Sequence, residues 1–475
     1  MELVEFYENL NNKKLPIFKL FFFLVCVVLI NYVGIYKNFP PSLSYLVIVF
    51  FALLLFLSNP LYSFLLLYLV YIDIMGCFGT TGAKPLAISC MLVVFLIDAK
   101  SFKILNDKKL KIIVSLSILF GLYVLLFNIG LKSGLTSLNI TQNFGYMFGF
   151  VTIIPAYYFT IKQPKTFFIS IVIIAGAFVA TYFFSLMRGL DLFKLSGGDR
   201  GTGANIERLA GYDIRQFAIF FFYLIPASAL ADKLKSFYKI VLILIGIGCF
   251  MVLVLAFYRL AMFYVSMGTL LSFLFIRKYA PSINLLKIFF YVVIFFISVN
   301  FLFGDYIKEV NNLFSATIDY FLGKGTDTSA DERAGYQMPI VTRLFYDNWW
   351  TGFGLIEMKE YMKLGMMAFV DMPFIGTLAT FGFGGMCLYY LKYFYLLAKS
   401  KIEYSTIANY LNTQPVFVYY FYLTLKAYLI SMITFRLFYI SWELTFESMQ
   451  GEFGMFAGVF LALNHVFKNY DEEHL

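Results

Sequence analysis

The chain has 475 residues, of which 61% are hydrophobic and 14% charged, a balance that excludes a soluble globular domain and points to a polytopic membrane protein. Its net charge of +9 does not mark a nucleic-acid partner, because the basic residues are scattered between apolar runs and not gathered on one polar face. Cys26, Cys77, Cys90, Cys249 and Cys387 share no metal-ligand spacing and fall in or at the edge of apolar runs, so neither a zinc site nor a disulfide framework is expected.

Runs of about 17–25 apolar residues read as membrane spans, and about fourteen are expected. They cover 17–36, 42–58, 61–77, 85–98, 112–131, 144–161, 166–187, 216–232, 239–257, 260–276, 285–304, 372–397, 415–440 and 452–467. The stretch before the first carries Glu2, Glu5 and Glu8 and no small-residue cleavage site, so the first run reads as a retained anchor. Lysines 100, 103, 108, 109 and 111 after the fourth run mark a cytoplasmic connection. Lys13, Lys14 and Lys19, Lys162 and Lys165, Lys233 to Lys239, Arg277 to Lys287, and Lys399 with Lys401 then fall on that same side, which makes both termini cytoplasmic. The whole chain, 1–475, reads as one membrane domain.

Two connections depart from this charge rule. Residues 188–215 hold Arg188, Lys194, Arg200, Arg208 and Arg215 on the outer side, and Arg259 lies there too, between two apolar runs. An interfacial arginine is explained either by snorkelling to a headgroup or by an anion that it binds. The second connection, 305–371, between the eleventh and twelfth spans, is too long for a turn and too rich in Tyr, Trp and Met for a solvated linker. A helix is expected within it from Ala330 to Trp350, with Asp331 suited to its start, Arg343 and Asp347 spaced i,i+4, and Gly352 and Gly354 ending it. Such a segment would lie on the outer membrane surface as a lid.

Several arginines at outer helix mouths suit a phosphate or diphosphate, whose oxygens the planar guanidinium fork matches. The run Ser196-Gly-Gly-Asp-Arg-Gly-Thr-Gly203 offers backbone N–H groups to an anion or is simply a flexible loop; it lacks the lysine and hydroxyl spacing of a nucleotide P-loop. No DxD pair occurs among the outer carboxylates, which argues against a divalent metal bridging a nucleotide, and no cofactor or metal is expected. Of the histidines, His465 falls in the last run and His474 in the tail, away from the outer face.

The segment Glu207-Arg-Leu-Ala-Gly-Tyr-Asp-Ile-Arg-Gln-Phe-Ala218, set just before a span, resembles the arginine-and-glycine signature of O-antigen polymerases and ligases. Tyr258-Arg-Leu-Ala261 is similar to the arginine that begins the next outer-facing helix in those families. Ser329-Ala-Asp-Glu-Arg333, followed by Arg343-Leu-Phe-Tyr-Asp-Asn-Trp-Trp-Thr-Gly-Phe-Gly354, resembles their arginine helix with its G-x-G turn. Val370-Asp-Met-Pro-Phe-Ile-Gly-Thr-Leu-Ala-Thr-Phe-Gly-Phe-Gly-Gly385 resembles the motif that re-enters the membrane after that loop.

The resemblance spans roughly residues 188–390 and implies an all-α membrane glycosyltransferase fold of GT-C type in a bacterial plasma membrane. It implies a glycan donor on undecaprenyl diphosphate, membrane lipids as surroundings, and a chain-length regulator as an associated protein. Ligases of this kind carry a histidine where the loop re-enters the membrane; here Asp371 stands in that neighbourhood, which favours a polymerase and leaves the base open between Asp371 and Glu443. The site implied for the diphosphate and glycan is Arg208, Arg259 and Arg215, with Arg333 on the lid, Arg343 there or held structurally by Asp347, and Arg436 near the outer end of its span. The alternatives are an O-antigen ligase, or a flippase or transporter of the same lipid-linked oligosaccharide. A flippase would need cations reaching both leaflets, and the cytoplasmic half reads as poor in them, Lys426 being an unexplained exception.

Overall fold

The computed structural model describes residues 17–36, 41–71, 83–99, 106–132, 147–188, 236–255, 338–354, 374–399, 422–426, 428–430 and 447–474, with positions 297, 304, 308, 312, 315 and 335. Among them every regular element is a helix. The first three are α1 (Ile17–Tyr36), α2 (Pro41–Ser58) and α3 (Pro60–Tyr71). Pro41 and Pro60 each open their helix, at a position where the missing N–H has no intrahelical partner to lose. Because α3 is apolar on every side it must be covered on every side, and Leu61 through Tyr71 are all buried. Phe23 of α1 stacks on Tyr62 at 5.1 Å. The core of this half is therefore built of side chains wrapped around α3.

Helix α4 (Ala83–Asp98) is followed by α5 (Lys108–Tyr123). Asp107 caps α5 by accepting from the Lys109 N–H at 2.9 Å, which starts the helix ahead of the apolar run expected at 112. After Tyr123 the helix widens into a π segment, Val124–Gly130, closed by Leu131 N–H donating to Leu126 O at 3.1 Å. Lys108–Gly130 is the one described helix long and apolar enough by itself to cross a membrane.

A tight 3-10 turn, Gly149–Thr152, leads into α6 (Ile153–Lys162), and α7 (Pro164–Arg188) follows. The segments Gly149–Lys162 and Thr166–Ala180 meet at 115°, and they add a second crossing only if the bent pair is one span. The expected run 144–161 thus contains a shorter helix than anticipated. Phe159 of α6 stacks on Phe64 of α3 at 5.3 Å. Four more helices complete the set: α8 (Ser236–Leu255), α9 (Met338–Asp347), α10 (Phe374–Ala398) and α11 (Glu447–His474). Gly454 and Gly458 of α11, four residues apart, let it lie against the backbone of Gly149 and Ile153. A Cβ on Gly458 would meet Ala156 Cβ at 2.8 Å, so this is a small-residue seam of the kind that brings apolar helices into close contact.

One end of the bundle collects the basic connections. Lys19 donates to Ser58 O at 2.7 Å, Asn59 to Gln163 at 2.9 Å, and Lys109 to Lys399 O at 3.2 Å. Lys162 pairs with Asp98 at 2.7 Å. Of the connections read from charge as lying on one side, those of Lys19, Lys109, Lys162 and Lys399 share one end. Of the expected spans, 216–232, 260–276, nearly all of 285–304 and much of 415–440 lie outside the described residues.

Candidate functional site

At the opposite end, the long connection docks on the helix that follows it. Helix α9 buries Val341 against Ala379 of α10, with Ile340, Leu344, Phe345 and Phe353 packed around them. Its other side leaves Arg343, Tyr346 and Asp347 exposed. The helix ends at Asp347, three residues short of the expected Trp350, and the chain then turns through Gly352 and Gly354, the anticipated stop, at φ values of 76° and 97°. Helix α10 breaks in the same manner at Gly382, with φ of 66° and ψ of 178°.

The two breaks are complementary. In unbroken helices Phe353 and Gly354 would donate to Trp349 and Trp350, and Phe383 and Gly384 to Ala379 and Thr380. Instead the partners are exchanged: Phe353 N–H donates to Ala379 O at 2.5 Å and Gly354 to Thr380 O at 3.0 Å, while Phe383 donates to Trp349 O at 2.8 Å and Gly384 to Trp350 O at 3.1 Å. The sequences match as the bonds do, Gly352-Phe353-Gly354 against Gly382-Phe383-Gly384. A Cβ on Gly352 would collide with Thr380 O and Gly382 N, and one on Gly382 with Trp350 O and Gly352 N. The pair forms a local twofold interlock in which each glycine makes room for the other's backbone.

Helix α5 clamps this interlock. Tyr123 donates its hydroxyl to Phe381 O at 2.8 Å, with Trp350 O beside it at 3.0 Å. Asn128, on the π segment, gives its two amide hydrogens to Thr351 O and Thr380 O, both at 3.0 Å. Lys132 reaches Asn348 Oδ1 at 2.5 Å. Every carbonyl from Asn348 to Thr351 and from Ala379 to Phe381 thereby has a donor, so the irregular backbone is satisfied by protein groups alone. Asn128 Oδ1, on a fully buried residue, keeps no partner. A π segment breaks the regular ladder and is found often at functional positions; here it supplies the amide that joins both turns.

Of the residues the sequence singled out, Arg343 is exposed on α9, facing away from Val341 and Ala379. Its expected partner Asp347 is also exposed, and no ion pair joins them; among the described residues the pair is Lys162–Asp98. Two solvated side chains at i,i+4 gain only about 0.2–0.5 kcal/mol by pairing, so the spacing does not compel the contact. Arg208, Arg215, Arg259, Arg333, Arg436, Asp331, Asp371 and Glu443 lie outside the described residues. His465 is at the basic half, 6.3 Å ring to ring from Tyr157. Among the described residues no three His, Cys, Asp or Glu side chains converge as metal ligands would.

Sequence reading missed Tyr123, Asn128, Lys132 and Lys392. Asn128 carried a signal, an amide inside the apolar helix Lys108–Gly130. Lys392 did too: it interrupts the apolar run of α10 and is buried, its Nζ 4.5 Å from the Tyr389 ring centre and 5.0 Å from that of Phe120. Tyr389 and Tyr393 meet hydroxyl to hydroxyl at 2.9 Å beside it. The half of the bundle nearer the basic end is therefore less poor in cations than the sequence implied, and Lys426 is buried as well. No protein-family model matches the chain, and neither a curated protein nor a solved structure matches it significantly.

Proposed function

We propose that this chain is an O-antigen-type polysaccharide polymerase: a multi-pass plasma-membrane glycosyltransferase of GT-C architecture with about fourteen spans and cytoplasmic termini. The observation that supports the reading is the interlock itself. Two stretches that carry the resemblance, 343–354 and the described part, 374–385, of 370–385, meet as one hydrogen-bonded unit at the end of the bundle opposite the basic connections.

In the reaction, the bond between the donor sugar's anomeric carbon and the diphosphate breaks, and a hydroxyl of a second lipid-linked repeat unit forms the new glycosidic bond. Undecaprenyl diphosphate leaves with the electron pair, and the hydroxyl proton passes to Asp371 or Glu443. Negative charge grows on the leaving diphosphate, so arginines held ready for it favour the transition state over the ground state. Arg208 and Arg259 take that role first and Arg215 next. Arg333 closes from the lid, and Arg343 and Arg436 complete the cationic surround. No metal or cofactor enters the reaction.

A flippase for the same lipid is the second reading, favoured by the buried Lys392 and Lys426. Purified protein in nanodiscs, given only a lipid-diphosphate-linked repeat unit with chelator and no nucleotide sugar, decides between them. A ladder of longer glycans that disappears in Arg259→Ala and Arg208→Ala supports the polymerase. Absence of a ladder, with movement of the same lipid across a vesicle bilayer, overturns it in favour of a flippase; transfer only to a lipid A-core acceptor makes the protein a ligase.

A further inference from the structure

We infer that the turn after α9 is a membrane-embedded re-entrant element whose exposed aromatic patch is a contact site for the acyl chains of the outer leaflet. The patch is Tyr346, Trp349, Trp350 and Phe383, exposed by 72%, 56%, 52% and 50%. It holds two of the protein's three tryptophans. Trp349 and Trp350 meet edge to face at 5.4 Å, and Trp350 lies 6.0 Å from Phe383.

Depth assigns the partner. The helical rise from Lys108 to Tyr123 is about 22 Å, and from Gly384 to Lys399 it is about the same. Lys109 bonded to Lys399 O fixes the shared starting level at the basic end. A hydrocarbon core is about 30 Å thick, so with the basic connections at one interface the interlock sits some way below the other. The candidate span that carries the clamp also exposes apolar side chains toward this end, Leu119, Leu122, Leu126 and Phe127. Tryptophan and tyrosine gather at this boundary because each has an apolar body and a polar tip. The exchanged backbone bonds make the site possible, since an unpaired turn at that depth would leave bare peptide groups in lipid.

The inference rests on the membrane placement of the proposed function but not on its polymer chemistry. The test is tryptophan fluorescence of the full chain in proteoliposomes, using phospholipids brominated along the acyl chain and, separately, aqueous iodide. In a Trp442→Phe background, blue-shifted emission is expected to be strongly quenched by the bromolipid and little by iodide. If that variant fails to fold, the bromolipid-quenched component of the unaltered protein must shrink in Trp349→Phe/Trp350→Phe. Quenching by iodide and not by bromolipid overturns the proposal. So does protection from iodide by a free oligosaccharide, which would make the patch a sugar platform. A protein that builds a glycan ladder yet shows iodide-accessible tryptophans sinks this inference alone; bromolipid quenching without a ladder sinks the polymerase reading alone.

Discussion

The bundle is held together in two different ways at two places. Around α3 the contacts are side chain on side chain: Leu61 to Tyr71 are buried under rings and branched chains such as Phe23 and Phe159. At the Gly-Phe-Gly interlock they are backbone on backbone, with exchanged hydrogen bonds and no room for a Cβ. Side chains have rotamers and can shift to share an error. Two backbones in contact cannot, so the interlock is either formed or lost while the α3 core weakens by degrees.

The largest break of that contrast is Gly382→Val. It sets a branched side chain at positive φ against Trp350 O and Gly352 N, and conformational strain with overpacking together cost roughly 3–5 kcal/mol. The expected readout is a lower Tm in detergent, together with new protease cleavage in the 305–371 connection. Gly384→Ala is the internal control, since its Cβ would meet Trp350 O at 3.3 Å and Tyr123 Cε2 at 3.4 Å, contacts that small shifts relieve. If the two variants melt alike, the interlock does not control the docking.

Next is the core itself. Leu66→Ala is expected to cost about 2–5 kcal/mol and Leu66→Met below about 1.5 kcal/mol, a graded pair measurable by the same melts. Coupling sharpens the comparison: Gly352→Val added to Gly382→Val should cost little more than either alone, whereas Leu66→Ala added to Gly382→Val should be close to additive. Strict additivity of the two glycine variants would show that the turns do not act as one unit.

Smaller effects come from the clamp. Asn128→Ala strips two carbonyls of an amide donor and is expected to cost about 1–3 kcal/mol, while Tyr123→Phe removes one hydroxyl and costs about 1 kcal/mol. Both should raise amide hydrogen exchange at 349–354 and 379–384 before they change exchange in α3; uniform loosening would contradict a local clamp. Lys132→Ala, an exposed contact to Asn348, is expected to stay below about 1 kcal/mol.

Most helices could be read from apolar runs, because each run needs no more than its own backbone bonds to become a helix. Pro41 and Pro60 mark starts, and Gly352 and Gly354 mark a stop, by local chemistry alone. The start of α5 at Lys108 was also local, set by Asp107, but a reading that weighed hydrophobicity above capping placed it too late. The shared end for Lys19, Lys109, Lys162 and Lys399 follows from charge counting and alternation of direction. Arg343 illustrates the opposite case: i,i+4 spacing allows a pair with Asp347, and hydration of both groups removes the need for it.

What the sequence determined by itself is the helical character of the described segments and the stop at Gly352 and Gly354, properties of a segment and its solvent; the break at Gly382 inside the expected span 372–397 was not among them. The two Gly-Phe-Gly stretches stood in plain view, yet they read as separate motifs. Only the tertiary structure decided that they exchange hydrogen bonds, that Asn128 and Tyr123 secure them, and that Lys392 lies buried among Phe120 and Tyr389. The physical reason is that a broken helix frees backbone donors and acceptors that are the same in every residue. Which distant chain satisfies them depends on shape at close approach, and that is a property of the packed bundle and not of either segment.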